Sequence, residues 1–406
     1  MVKTMSKLEQ LIKELCPDGV EWKSILEIIE DKFWIMPATP KFDENGKIPY
    51  ITSKNIKNGH INFEKVSYIS YRDYIEISHN RPILVGDILI SMIGTIGEVA
   101  KVKEQDLEFY GQNMYLIRLN NELVTSDYFL HFFDSPKIKN HFASVKNNSG
   151  QGYLKSKDID NLLIPIPPLQ VQLEIVRILD NFTELTAELT AELTARKKQY
   201  EYYRDELLTF GDDVEWKTLG WMCKIGDGLH STPKYDDNGE YYFINGNNLD
   251  NGRIVLKGTT KKIDKYSYSK HCVDFNAENT IFMSINGTIG NVSFYHNEKI
   301  LLGKSVAFFN IESAELYSKY LYYFFQTSYS SNYFESQKTG STIKNLGLKA
   351  LRNYKIPVPS LTEQARIVAI LDKFDTLVND ISQGLPAEIE MRTKQYEYYR
   401  DKLLSF

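Results

Sequence analysis

The sequence predicts an α+β protein: two β-rich mixed globules separated by two long antiparallel coiled-coil helices, related by a pseudo-two-fold internal repeat. Three observations predict it. First, distant segments return in order: Val20-Glu21-Trp22-Lys23 as Val214-Glu215-Trp216-Lys217, Ile90-Ser91-Met92-Ile93-Gly94-Thr95-Ile96-Gly97 as Met283 through Gly290, and Lys198 through Asp205 as Lys394 through Asp401. One unit of about 195 residues is therefore used twice. Second, short β-branched runs alternate with turn signals such as Asn45-Gly46, Asn58-Gly59, Asn238-Gly239 and Asn251-Gly252, the pattern of strands and hairpins. Third, apolar residues recur at helical spacing after each Pro-rich junction: Ile175, Leu179, Phe182, Leu185, Leu189 and Leu193 in one copy, Ile367, Leu371, Phe374 and Val378 in the other.

In chain order, these signals divide the sequence into an N-terminal helix plus first globule over 1–164, a central helix over 165–210, a second globule over 211–356 and a C-terminal helix over 357–406. Within the globules, Ser126–Phe133 and Ser318–Gln326 read as helices with aromatic core stripes. The first long helix has neither Pro nor Gly from Leu169 to Phe210, whereas Gly384 and Pro386 predict a break in the second. A lone helix with such a seam leaves its apolar stripe wet, so the two helices pair. The segment Thr186-Ala187-Glu188-Leu189, repeated as Thr190-Ala191-Glu192-Leu193, reads either as helix-favouring filler or as a ruler, each unit lengthening the rod by about 6 Å.

Composition excludes several classes. With 48 Lys and Arg against 53 Asp and Glu, the net charge is -5, the reverse of a typical nucleic-acid-binding domain. There is no apolar run of membrane-spanning length, and the start of the chain lacks a signal-peptide pattern, so a cytoplasmic protein is expected. Cys16, Cys223 and Cys272 fit neither a disulfide framework nor a zinc site and read as buried, reduced thiols. Gly303-Lys304-Ser305 resembles the end of a phosphate-binding loop, but Glu298 stands where that loop needs Gly, so a turn is expected. Dinucleotide, nucleophile-elbow and zinc-protease motifs are absent, and no catalytic or metal-binding residue is assigned.

Local charge departs from the average. Residues 136–157 hold Lys137, Lys139, Lys146, Lys155 and Lys157 with no acid; residues 336–362 hold Lys338, Lys344, Lys349, Arg352 and Lys355, again with none. Both segments mix cations with Asn, Gln, Ser, Thr or Tyr and end at a Pro-rich junction. They are candidates for phosphate-backbone contact.

The whole constellation resembles the specificity subunit of type I restriction–modification systems. The residues that carry the resemblance are Ile48-Pro49-Tyr50-Ile51 before Lys54-Asn55-Ile56, Gly86-Asp87-Ile88-Leu89-Ile90-Ser91, and Gly226-Asp227-Gly228-Leu229-His230 with Thr232-Pro233. With them go two Pro-x-Pro-Pro/Ser-Leu-x-x-Gln junctions, which end at Gln172 and Gln364. The resemblance covers essentially all 406 residues. It implies two target-recognition domains, each reading half of a split, asymmetric double-stranded DNA target. It further implies helices that dock two methyltransferase subunits, and restriction/translocase subunits as further partners. S-adenosylmethionine and ATP/Mg would sit on those partners, with no cofactor in this non-catalytic chain.

Candidate DNA contacts in the first globule are Lys54, Asn55, Ser91, Thr95, Gln112, Asn113, Lys146, Gln151, Tyr153, Lys155 and Lys157. In the second they are His230, Lys234, Asn245, Asn247, Ser284, Asn286, Thr288, Lys304, Lys338, Ser341 and Lys344. These residue types hydrogen-bond base edges or phosphates. The alternative reading is a non-catalytic coiled-coil adaptor whose β-rich domains bind protein partners.

Overall fold

The computed structural model describes residues 6–106, 108–145, 152–340, 342–380 and 382–406. The chain forms two compact units: Met1–Glu188 with Ile389–Phe406, and Leu189–Glu388. The division falls inside the helical segments, so each unit combines a globule with helix residues from both copies.

In the first unit a four-stranded antiparallel sheet runs in the order Ile29–Ile35, Met114–Leu119, Ile88–Ser91, Val99–Lys101. A second sheet centres on Ile48–Thr52, which pairs antiparallel with Ser67–Ile69 and parallel with Tyr110–Gln112. The run Ile88-Leu89-Ile90 is apolar without alternation because both sheet faces are covered. Ile88 and Ile90 join Tyr128, Phe129, Phe133, Val171, Ile175 and Leu179 in one core, while Leu89 joins Tyr50, Ile51 and Tyr110 in another. Leu404 is buried in the first of these cores, with Tyr396 packed against it.

The second unit repeats the plan. Its four-stranded sheet is ordered Cys223–Asp227, Val306–Ile311, Thr280–Ser284, Val292–Phe294, and Tyr241–Ile244 pairs parallel with Ile300–Leu302. Ile281 and Met283 face one core and Phe282 the other. Tyr200 and Leu208 are buried in the first of these, beside Ile367, Leu371 and Val378.

The repeated Glu-Trp-Lys has a structural reason. Trp22–Ser24 pairs antiparallel with Leu163–Pro165, and Trp216–Thr218 with Lys355–Pro357, so each globule closes on its own two ends. The repeated junction glutamines fix the helices. Gln172 is fully buried; its Nε2 donates to Leu123 O and Pro167 O at 2.8 Å each, and its Oε1 accepts from Thr125 N at 2.9 Å. Gln364 makes the same three bonds to Glu315 O, Pro359 O and Tyr317 N.

The expected helices at Ser126–Phe133 and Ser318–Phe325 are present. The central helix runs unbroken over Leu169–Leu207, 39 residues or about 58 Å. The C-terminal helix divides into Leu361–Asn379 and Leu385–Leu403. A Cβ at Gly384 would lie 2.3 Å from Thr376 O, and Pro386 sits in the first turn of the new helix, where its missing N–H leaves no bond unmade. One expectation needs correction. Cys16 and Cys223 are buried, but Cys272 is exposed, because it terminates Lys265–His271, a helix with no buried residue. No helix among the described residues is long and apolar enough to cross a membrane.

Candidate nucleic-acid interface

Within each unit, separate chain segments meet at one end of the sheets. In the first unit they are 52–55, 91–97, 110–113 and 153–155. Ser53 Oγ donates to Ile93 O at 2.8 Å, and Thr95 Oγ1 returns a bond to Ser53 O at 3.1 Å. Thr52 lies beside Gln112 in the parallel pair, Met92 N donates to Asn113 O, and Ile93 forms a bridge with Tyr153. Lys54, Thr95, Tyr153 and Lys155 are thereby gathered with their side chains exposed, and Gln112 and Asn113 are half-buried among them. Gln112 is held from behind, its Oε1 accepting from Thr39 Oγ1 at 3.2 Å and Tyr50 OH at 3.4 Å. Burial pushes the Tyr50 hydroxyl up to about 12, so it remains a donor. Asn113 sits at φ 65°, a left-handed conformation that Asn tolerates.

The second unit assembles the corresponding segments 245–248, 284–290, 303–305 and 344–345, joined by 228–230, and repeats the bridge between Ile93 and Tyr153 as Asn286 with Asn345. Gly246 N donates to Ser305 Oγ at 2.9 Å, and Ser305 Oγ to Asn245 Oδ1 at 3.1 Å. Gly287 N donates to Lys344 O, Asn286 bridges Asn345, and Lys304 N donates to Leu229 O. Asn247, Thr288, Lys304, Lys344 and His230 are exposed there, with Asn286 and Asn245 half-buried. His230 is oriented by Asp227, at 2.7 Å from its Nε2. Gly303-Lys304-Ser305 is a turn, as expected.

Several candidates belong elsewhere. Ser91 and Ser284 are fully buried and brace the turn that follows them: Glu98 N donates to Ser91 Oγ, which donates to Thr95 O, and Asn291 N donates to Ser284 Oγ at 3.0 Å. As base contacts they are corrected, because a hydroxyl sealed under a sheet end cannot reach a groove. Asn55 is also spent internally: its Oδ1 accepts from Thr52 N at 2.9 Å and its Nδ2 donates to Asn62 O at 2.9 Å. Asn248 does the same work in the second unit, through Asn245 N and Val255 O.

Lys234 stands apart from the gathered loops, its charge helping to hold the Asp264 carboxyl below its ordinary range after the hydrogen bonds from Ser267. Lys338 pairs with Glu335, on a strand whose partner is Asn345–Leu346. Lys157 is exposed on the short helix Ser156–Asp160. Lys146, Gln151 and Ser341 lie outside the described residues.

Asn345 and Ser305 are not among the candidate contacts named from the sequence. The repeat offset would have found Asn345, opposite Tyr153, whereas the role of Ser305 depends on a contact with residues 59 and 60 positions away. Among the described residues, no group of three His, Cys, Asp or Glu could hold a metal ion.

Two β-rich globules, each carried on helix segments and each presenting a polar end of gathered loops, define a doubled recognition scaffold. The type I restriction–modification DNA specificity domain matches residues 17–196 and again 211–391. The chain belongs to that family, and its role is that of a DNA sequence-specificity subunit. It is 43% identical over 263 residues to the specificity subunit of the Escherichia coli type I restriction enzyme EcoR124I/EcoR124II, a match that covers 60% of this chain and 63% of the relative. Identity to the Escherichia coli EcoprrI specificity subunit is 30% over 416 residues, covering 93% of each.

Among solved structures, the fold resembles a chain from a type I restriction–modification system studied for its complex assembly and conformational transition. That likeness has a TM-score of 0.63 at 18% identity and covers 96% of this chain and 98% of the other. The S subunit from M. genitalium gives a TM-score of 0.52 at 16% identity, covering 96% and 97%. The adaptor reading finds no support in these relatives.

Proposed function

We propose that each globule reads one half of a bipartite, asymmetric DNA target through its gathered loops. The long helices set the unread spacing between the halves and dock two methyltransferase subunits. The observation that carries this reading is the paired construction of the two ends. The same backbone braces recur in both units, yet Ile93, Gln112 and Tyr153 in one are matched by Asn286, Lys304 and Asn345 in the other. A shared frame with different side chains is what reading two different half-sites requires. Amides, hydroxyls and cations on such loops can make bidentate base contacts worth about 1–3 kcal/mol each.

In this reading Lys54, Thr95, Gln112, Asn113 and Tyr153 face one half-site, and His230, Asn245, Asn247, Asn286, Thr288, Lys304 and Lys344 the other. Lys146, Lys155 and Lys157 contact phosphates, whereas Lys338 is taken by Glu335. The chain itself performs no chemistry. Methyl transfer from S-adenosylmethionine and ATP-driven cleavage belong to partner subunits, which also supply the DNA clamp that an acidic chain needs. Sequencing the methylome of a host with and without the gene tests this. One split adenine-methylated motif should vanish on deletion; an unchanged methylome refutes the reading.

A further inference from the structure

We infer that the second unit holds an anion pocket that the first has closed, built on Arg204 and suited to a phosphate group. It extends the DNA reading without depending on it. The two units solve the same local problem differently. In the first, Arg400 is 3% exposed, stacks 4.9 Å from the Tyr396 ring and donates from Nη1 to Asp134 Oδ2 at 3.0 Å. Lys139 joins the same carboxylate. The guanidinium is neutralised internally.

The repeat partner of Arg400 is Arg204, 9% exposed and set against Tyr200 in the same way. The carboxylate is gone, because the position of Asp134 is taken by Gln326 and that of Lys139 by Ser331. Arg204 turns to its chain neighbour Asp205, placing both Nε and Nη2 on one oxygen at 3.2 Å. That carboxylate is also engaged by Ser328 N at 3.1 Å. Nη1, the atom that met Asp134 in the other unit, makes no hydrogen bond among the described residues.

Arg204 borders a cavity of about 310 Å³ lined by Asn291, Gln326, Ser331, Glu335 and Lys338 among others. The acid on this wall, Glu335, is paired with Lys338, and Asp205 balances the guanidinium from its other edge, so the site offers hydrogen-bond donors without net charge. Ser331 Oγ also makes no hydrogen bond among the described residues. A mostly buried guanidinium with an open N–H edge, beside a free hydroxyl and a carboxamide, matches the oxygens of a phosphate. The place fits as well. Asn291 follows the exposed turn Asn286–Thr288 by three positions, and Lys338 lies on the strand paired with Asn345–Leu346.

The phosphate could be a DNA phosphodiester or a free phosphate group, and two measurements separate them. The full chain is melted in inorganic phosphate and in chloride at equal ionic strength, as wild type and as Gln326→Asp, which restores the carboxylate that the first unit uses. Arg204→Gln serves as a second variant if it folds. Phosphate should raise the wild-type midpoint progressively with its concentration and leave Gln326→Asp unmoved. If phosphate and chloride act alike on the wild type, or if Gln326→Asp responds as the wild type does, the pocket is refuted.

The salt dependence of duplex binding by the assembled complex then assigns the source. A slope smaller by about one unit in Gln326→Asp places a phosphodiester in the pocket, and an unchanged slope places a free phosphate there. A positive phosphate response together with an unchanged methylome would overturn the DNA reading and leave the pocket standing.

Discussion

His131 and Tyr396 are 265 positions apart and joined by a 3.0 Å hydrogen bond between the His131 Nδ1 and the tyrosine hydroxyl. The other ring nitrogen meets Asp180 Oδ1 at 2.8 Å. The last helix of the chain is thus keyed to the first globule, aided by Phe182 stacked on Tyr399 with centroids 5.3 Å apart. Replacing His131 with Ala should loosen the segment 389–406. With about 1–3 kcal/mol lost, amide exchange there should quicken roughly 5- to 150-fold, while exchange in the Ile88–Ser91 strand stays slow.

The junction glutamines should be sensitive to a change that keeps their size. Gln172→Leu leaves Thr125 N, Leu123 O and Pro167 O buried without partners. A loss of about 2–5 kcal/mol is expected, and Gln364→Leu should match it because the three bonds are repeated. Urea denaturation of the two variants checks both the size and the equality.

Glu174 gives the first unit an acid-sensitive clasp. Hydrogen bonds from Arg177, then Lys7, hold its carboxyl down at about 2 from an ordinary 4.5. A folded value below the unfolded one means that the stabilisation is complete above about pH 4.5 and lost as pH falls toward 2. The stability gap between wild type and Glu174→Gln should therefore be constant at neutral pH and narrow through that acid window, as read from melting at stepped pH.

The repeat around Thr186–Leu189 lies within one unbroken helix. Deleting these four residues removes about 6 Å of rise. The spacer of the methylated motif should shorten while the letters of both half-sites persist; altered letters would reduce the repeat to filler.

Replacing Lys146, Lys155 and Lys157 together by Ala should weaken duplex binding by the assembled complex for every sequence. If all three meet phosphates, the slope of log affinity against log salt should fall by about 2.7. A titration at several salt concentrations reads this directly.

The repeat, the β-rich character of both globules, the unbroken first helix and the break at Gly384–Pro386 were all legible in the sequence. Periodicity, turn chemistry and self-similarity are local properties, written in neighbouring residues. The same holds for the loop segments that carry the candidate contacts, which the recurrence at 90–97 and 283–290 already marked. Which side chains in those segments face outward was not legible. Ser91 and Thr95 are four positions apart and equally polar, yet one is sealed beneath the turn and the other is exposed, because the returning backbone of the turn takes the first hydroxyl.

Likewise, the pairing of Lys-Gln-Tyr-Glu-Tyr-Tyr-Arg-Asp with itself revealed duplication but not that Arg400 finds Asp134 while Arg204 finds only its chain neighbour Asp205. The sequence by itself determined two copies of one unit with helices between them. Only the tertiary structure decided which helix end completes which core and which polar groups are left over, because those choices depend on contacts between residues hundreds of positions apart, where burial leaves each polar atom either a partner or an open edge.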